Sequence, residues 1–165
     1  MHAADALFLL LWILNLGTAF GAGLYETLMV LPTWFPLQHG KPLAIDSKLM
    51  READVGRRFW GMVTTLPLTL LTLANCYFAL HASGPRRSYW LAAVAIVALE
   101  RVLTFTFFIP AALAFMKLEA AASPAERKLA ATWINLNYAR NLLILTGWLC
   151  ALYVFGGRAT AAPFE

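Results

Sequence analysis

Four long apolar stretches, at residues 7–31, 59–82, 89–116 and 130–155, dominate this chain. Each exceeds the about 20 helical residues that cross a ~30 Å hydrocarbon core. Hydrocarbon gives backbone amides no water to bond, so each stretch must satisfy its own as a helix. The period-two alternation of a barrel strand is absent from all four. Composition agrees: 61% of the residues are hydrophobic and 13% charged, where a soluble domain carries about 25% charge. A soluble domain, a disordered chain and a disulfide scaffold are thereby excluded. The expectation is an all-α integral membrane four-helix bundle, a single domain over residues 1–165, solvated by the lipid bilayer.

The first stretch has no Lys or Arg ahead of it and runs well past Gly17-Thr18-Ala19. It therefore reads as a span rather than a cleaved leader. Gly84-Pro85 sets a tight turn that makes the second and third spans an antiparallel hairpin. Trp34, Trp60, Tyr89 and Trp90 fall at span ends, where interfacial aromatics belong.

A net charge of +4 suggests a nucleic-acid partner until the charges are located. Lys41, Lys48, Arg51, Arg57 and Arg58 lie in the first long loop, and Lys117, Arg127 and Lys128 in the second. The opposite side holds only Arg86, Arg87 and Arg158. Basic residues gather in cytoplasmic loops, so both long loops are expected in the cytoplasm, with both termini outside and no nucleic acid bound. Cys76 and Cys150 lie within spans and read as packing residues.

Ionisable groups inside spans are costly unless they face a polar interior, so they mark candidate sites. Four stand out: Glu26, Glu100, Arg101 and Arg140. On the first span, Asn15, Thr18, Ala19, Ala22, Glu26 and Met29 follow helical spacing and should form one inward stripe. Gly21 and Gly23 should allow close helix approach there. On the fourth span Trp133, Asn137, Arg140, Asn141 and Ile144 share a face, with Asn135 alongside. Arginine stays charged and must find a carboxylate, a carbonyl, water or an anionic ligand.

Glu100 and Arg101 are neighbours about 100° apart around the helix, so each is expected to need a partner on another helix. Glu26–Arg140 and Glu100–Arg140 are both open pairings, with Arg101 turned to the remaining carboxylate. Pro110 should kink the third span, and Phe105, Phe107 and Phe108 before it form an aromatic wall that reads as lipid-facing. Thr65, Thr69, Thr72 and Asn75 follow helical spacing beside Pro67, and hydroxyls there can bond backbone that a proline frees. A polar pocket open toward the long loops, with the first loop over its mouth, is the economical arrangement. The competing reading is a structural clasp between helices.

His2, His39 and His81 all lie away from mid-membrane, which excludes a bundle-core di-iron site with Glu-x-x-His motifs. No dinucleotide fingerprint, phosphate loop or nucleophile–histidine pair appears, and no metal site is expected. What remains is acid–base and electrostatic chemistry. A carboxylate removed from water can serve as general base, while Arg and Asn hold a developing oxyanion. Such a site suits a hydrophobic aromatic phenol or ketone arriving from the lipid.

Three motifs then carry a resemblance: Gly21-Ala22-Gly23…Glu26…Pro32, Phe107-Phe108-Ile109-Pro110, and Trp133-x-x-x-Asn137-x-x-Arg140. Together they resemble the small four-helix membrane proteins of the anthrone oxygenase-like family, over about residues 6–152. In that family an Asn often follows the third-helix proline; here Ala111 and Ala112 stand there. The resemblance implies a cofactor-free oxygenase acting on an anthrone-like substrate. It implies Glu26 or Glu100 as base and Asn137 and Arg140 as oxyanion stabilisers. Trp133, Asn141, Arg101, Asn15 and Thr65, by their positions on the spans, are the candidate substrate contacts.

Two other readings stand beside this one. The first is a non-catalytic ligand-binding or partner-subunit protein whose polar cluster is structural. The second is a proton-coupled carrier, which four spans without inverted repeats would support only as an oligomer. The sequence leaves a homo-oligomer open.

Overall fold

Leu31-Pro32, Leu66-Pro67 and Ile109-Pro110 each interrupt a span, and each forces the same local solution. A proline lacks an N–H and its ring clashes with the carbonyl four residues back. In the computed structural model, the residue before each proline bonds five residues back instead: Leu31 N–H to Glu26 O, Leu66 N–H to Gly61 O, and Ile109 N–H to Thr104 O. The helices thereby widen into π turns over Glu26–Val30, Gly56–Thr65 and Thr104–Phe108 and continue through the proline. At Pro110, where a kink is expected, the backbone adopts such a turn and continues as helix.

The structure describes residues 3–37, 40 and 42–159; His2, His39, Lys41 and the side chain of Arg158 lie outside these. In order come α1 (Ala3–Trp34), the short α2 (Ser47–Ala53), α3 (Gly56–His81), α4 (Arg87–Met116) and α5 (Pro124–Ala159). The described residues are all helix, turn and loop, with no strand. The four long helices are each apolar and long enough to cross a membrane. They form a ring in which α1 and α4 each pack on α3 and α5. Consecutive helices run antiparallel: Trp12 meets Thr72 while Glu26 meets Trp60, and Gly147 abuts Val97 while Trp133 meets Phe108. Both long loops therefore lie at one end.

The outer faces carry Leu14, Leu28, Leu73, Val102 and Leu142, each more than half exposed. Water would make such a ring an aggregation surface, whereas lipid is its solvent. The chain is a multi-pass membrane bundle.

Two apolar cores divide the interior. One, toward the termini, gathers Trp12, Leu16, Ala19, Leu68, Val97 and Ile144 among others. The other, at the loop end, joins Leu31, Trp34, Phe35, Met50, Phe115 and Trp133, so the first loop and α2 close that end. Arg51 of α2 donates to the Met116 carbonyl at 2.6 Å, capping the last turn of α4.

Expected interfacial positions need correction. Trp90 is 1% exposed and donates to Asn75 Oδ1 at 3.1 Å, Trp60 turns inward to Glu26, and Trp34 belongs to the loop-end core. Only Tyr89 of the four faces outward. Indole N–H groups near buried acceptors gain more by donating there than by sitting at the interface.

Ser123 and Glu126 form a capping box ahead of α5: the Glu126 carboxylate accepts from Ser123 N–H at 2.7 Å, and Ser123 Oγ accepts from Glu126 N–H at 3.3 Å. Ser123→Ala should cost about 1 kcal/mol of stability, measured by denaturant unfolding in detergent. An unchanged midpoint would contradict the cap.

Candidate functional site

Glu26 begins the π turn of α1 and is 6% exposed. Its Oε2 accepts from Arg140 Nη2 at 2.8 Å, and its Oε1 accepts from Trp60 Nε1 at 2.9 Å. The Arg140 guanidinium in turn lies over two rings, 4.7 Å from the centre of Phe108 and 5.4 Å from that of Trp60. Four helices thus converge on one ion pair. Of the two open pairings for Arg140, the geometry selects Glu26.

A second pair sits on α4. Glu100, 1% exposed, accepts from Arg101 Nε at 2.6 Å and from Thr104 Oγ1 at 2.8 Å. The expectation that Glu100 and Arg101 need partners on other helices is therefore wrong. Arginine's long stem lets its head curl back to the neighbouring carboxylate, a reach that Cα geometry alone does not reveal. Arg101 Nη1 remains buried without a hydrogen-bond partner.

The register of α5 on α4 sets the depth of the two pairs. Trp133 lies at Phe108 and Gly147 at Val97, so Arg140 falls opposite about residues 101–103. Both pairs thus occupy one layer, with Thr27, Thr64, Thr104, Asn137 and Asn141 as its other buried polar side chains. That layer lies between the two apolar cores, and all three π turns fall in it or at its edge. π turns inside α-helices gather at functional sites, and here they widen the bundle where polar groups need room.

The inward stripe of α1 is rotated from the expected one. Thr18 and Met29 face outward, and the buried line runs through Leu16, Ala19, Gly23, Glu26 and Thr27. Gly21 meets nothing nearby, whereas a Cβ on Gly23 would overlap Asn141 Oδ1. Gly23 is the glycine that permits close approach. Asn141 Nδ2 donates to Thr27 Oγ1 at 3.0 Å, and Thr27 donates to Gly23 O at 2.8 Å.

The remaining candidates divide. Trp133 Nε1 donates to the Phe108 carbonyl at 3.2 Å. Asn137, fully buried, donates from Nδ2 to Trp133 O at 2.8 Å, and its Oδ1 has no partner. Asn15 Nδ2 donates to Val63 O at 2.9 Å, the carbonyl four residues before Pro67 that lacks its usual N–H. Thr65 is half-buried, and its carbonyl accepts from Thr69 at 2.6 Å. Asn135 faces outward. The aromatic wall splits: Phe105 is half exposed, but Phe108 is buried against Arg140 and belongs to the site. Trp60, read from sequence as an interfacial residue, belongs there too; its place two turns before Pro67, level with Glu26 in an antiparallel hairpin, was the available signal.

Among the described residues no three His, Cys, Asp or Glu side chains cluster as a metal site. Two hollows open at the ends of the bundle, one of ≈ 370 Å³ beside Asp46 and Arg51, the other of ≈ 600 Å³ beside Tyr77 and His81. Neither is lined by a residue of the charged layer.

Fold and site together define a multi-pass membrane bundle with an internal charged layer. Comparison with family models, with curated proteins and with solved structures found no match to this chain.

Proposed function

We propose that this chain is a membrane-embedded, cofactor-free oxygenase that acts on a hydrophobic, anthrone-like aromatic at the charged layer. The observation that carries the reading is the convergence of Glu26, Arg140, Trp60 and Phe108 between two apolar cores. The family resemblance supplies the reaction. A carboxylate fixed by two neighbouring helices is a positioned base, and the guanidinium beside it is a positioned oxyanion stabiliser. Glu26 takes the proton from the ring methylene of the substrate, leaving an enolate whose oxygen faces Arg140. That electron-rich carbon forms a bond to dioxygen, and the proton returns to give a hydroperoxide. Loss of water leaves a ketone, so one oxygen atom ends in the product and the other in water. The four electrons lost by the methylene carbon are those gained by dioxygen. On α1 and α3 the layer lies nearer the loop end, which we take as cytoplasmic from the excess of basic residues in the long loops.

Oxygen uptake by the detergent-purified chain, supplied with anthrone, tests this reading. Glu26→Gln should slow uptake by about 100-fold or more, the usual contribution of a general base. Wild-type uptake no faster than in protein-free detergent would overturn it.

A second reading has its own support: each of the four charges already has a partner within the chain. In that case the layer is a clasp that fixes helix register in a ligand-binding or partner-subunit protein.

A further inference from the structure

Asn137 is the one amide of the charged layer that is fully buried and half satisfied. Its Nδ2 donates to the Trp133 carbonyl, one turn earlier on α5, while Oδ1 has no partner. Reversing the amide would set its oxygen against the Trp133 carbonyl oxygen, so the orientation is fixed by the network. A buried acceptor without a donor is costly, and native interiors retain few of them. Its neighbours along α5, Trp133 and Arg140, both pack on one aromatic ring. The Phe108 ring reaches from the Arg140 guanidinium, at 4.7 Å, to the Trp133 indole, at 6.1 Å between ring centres. Asn137 lies between Trp133 and Arg140 along the same helix.

We infer that Asn137 is a specificity-determining residue whose Oδ1 accepts a hydrogen bond from a hydroxyl on the bound aromatic. The inference rests on the ligand-site reading above and sharpens it. Asn137 acts as an acceptor that selects hydroxylated ligands rather than as a donor to an oxyanion. A ligand of the same shape without the hydroxyl leaves the acceptor buried and unmet, and loses affinity for that reason.

Tryptophan fluorescence quenching of the full chain in detergent, titrated with 1-naphthol and with its near-isostere 1-methylnaphthalene, tests the inference. Wild type should bind 1-naphthol more tightly by about 10- to 100-fold, the cost of one unmet buried group. In Asn137→Leu that preference should vanish, with 1-methylnaphthalene bound at least as well as before. Comparing the same two probes in both chains cancels their partition into micelles. Asn137→Ala replaces the leucine variant if the latter does not fold. Equal wild-type affinities, or a preference that persists in the variant, would overturn the role of Asn137 while leaving the ligand site standing. Failure of both probes to bind wild type would remove the site and this inference together.

Discussion

Replacing Arg140 by leucine should produce a large loss of stability. The pair it forms with Glu26 is nearly dry, with side chains 12% and 8% exposed. Removing one partner leaves a buried carboxylate with only the Trp60 N–H to meet it, and breaking a buried pair this way costs about 3–5 kcal/mol. Glu26→Gln in the same chain should recover most of that loss, because the amide oxygen still accepts from Trp60 and no charge remains. Denaturant unfolding in detergent of the two single variants and the double variant measures the coupling. A double variant as unstable as the two singles summed would mean that Glu26 and Arg140 do not act as a pair.

Gly23→Ala should be strongly damaging although it touches no charge. The added methyl would overlap Asn141 Oδ1, and Asn141 can yield only by giving up its bond to Thr27 or by pushing α5 away. Overpacking of this kind costs about 1–3 kcal/mol. Asn141→Ala should relieve the overlap, so the double variant should be more stable than Gly23→Ala alone. Gly21→Ala, on a face where nothing lies near, is the control and should be close to neutral. Equal losses at Gly21 and Gly23 would contradict the register of α1 on α5.

The four helices were legible because lipid imposes a length and an apolar composition that no other fold class shares. Glu26 and Arg140 were legible for the same reason, since a charge inside a span stands out against its surroundings. What escaped depended on reach or rotation. Arg101 folds back onto Glu100 through its own stem, and Trp60 and Trp90 turn inward to acceptors on neighbouring helices. Thr18 and Met29 lie within about one helical step of the true inward line of α1, so rotating the helix exchanges them for Gly23 and Thr27. The prolines were visible, but not that each is accommodated by a π turn at the level of the charges. Helical periodicity at 3.6 residues per turn cannot register that device.

The measurement that separates a catalytic layer from a clasp is oxygen uptake on anthrone by the Glu26→Gln, Arg140→Leu double variant. Removing both charges together should restore a stable bundle, so folding no longer masks chemistry. Uptake should stay at the protein-free rate although the variant unfolds near the wild-type midpoint, while wild type turns over. A double variant that consumes oxygen as fast as wild type would contradict a catalytic role for the pair.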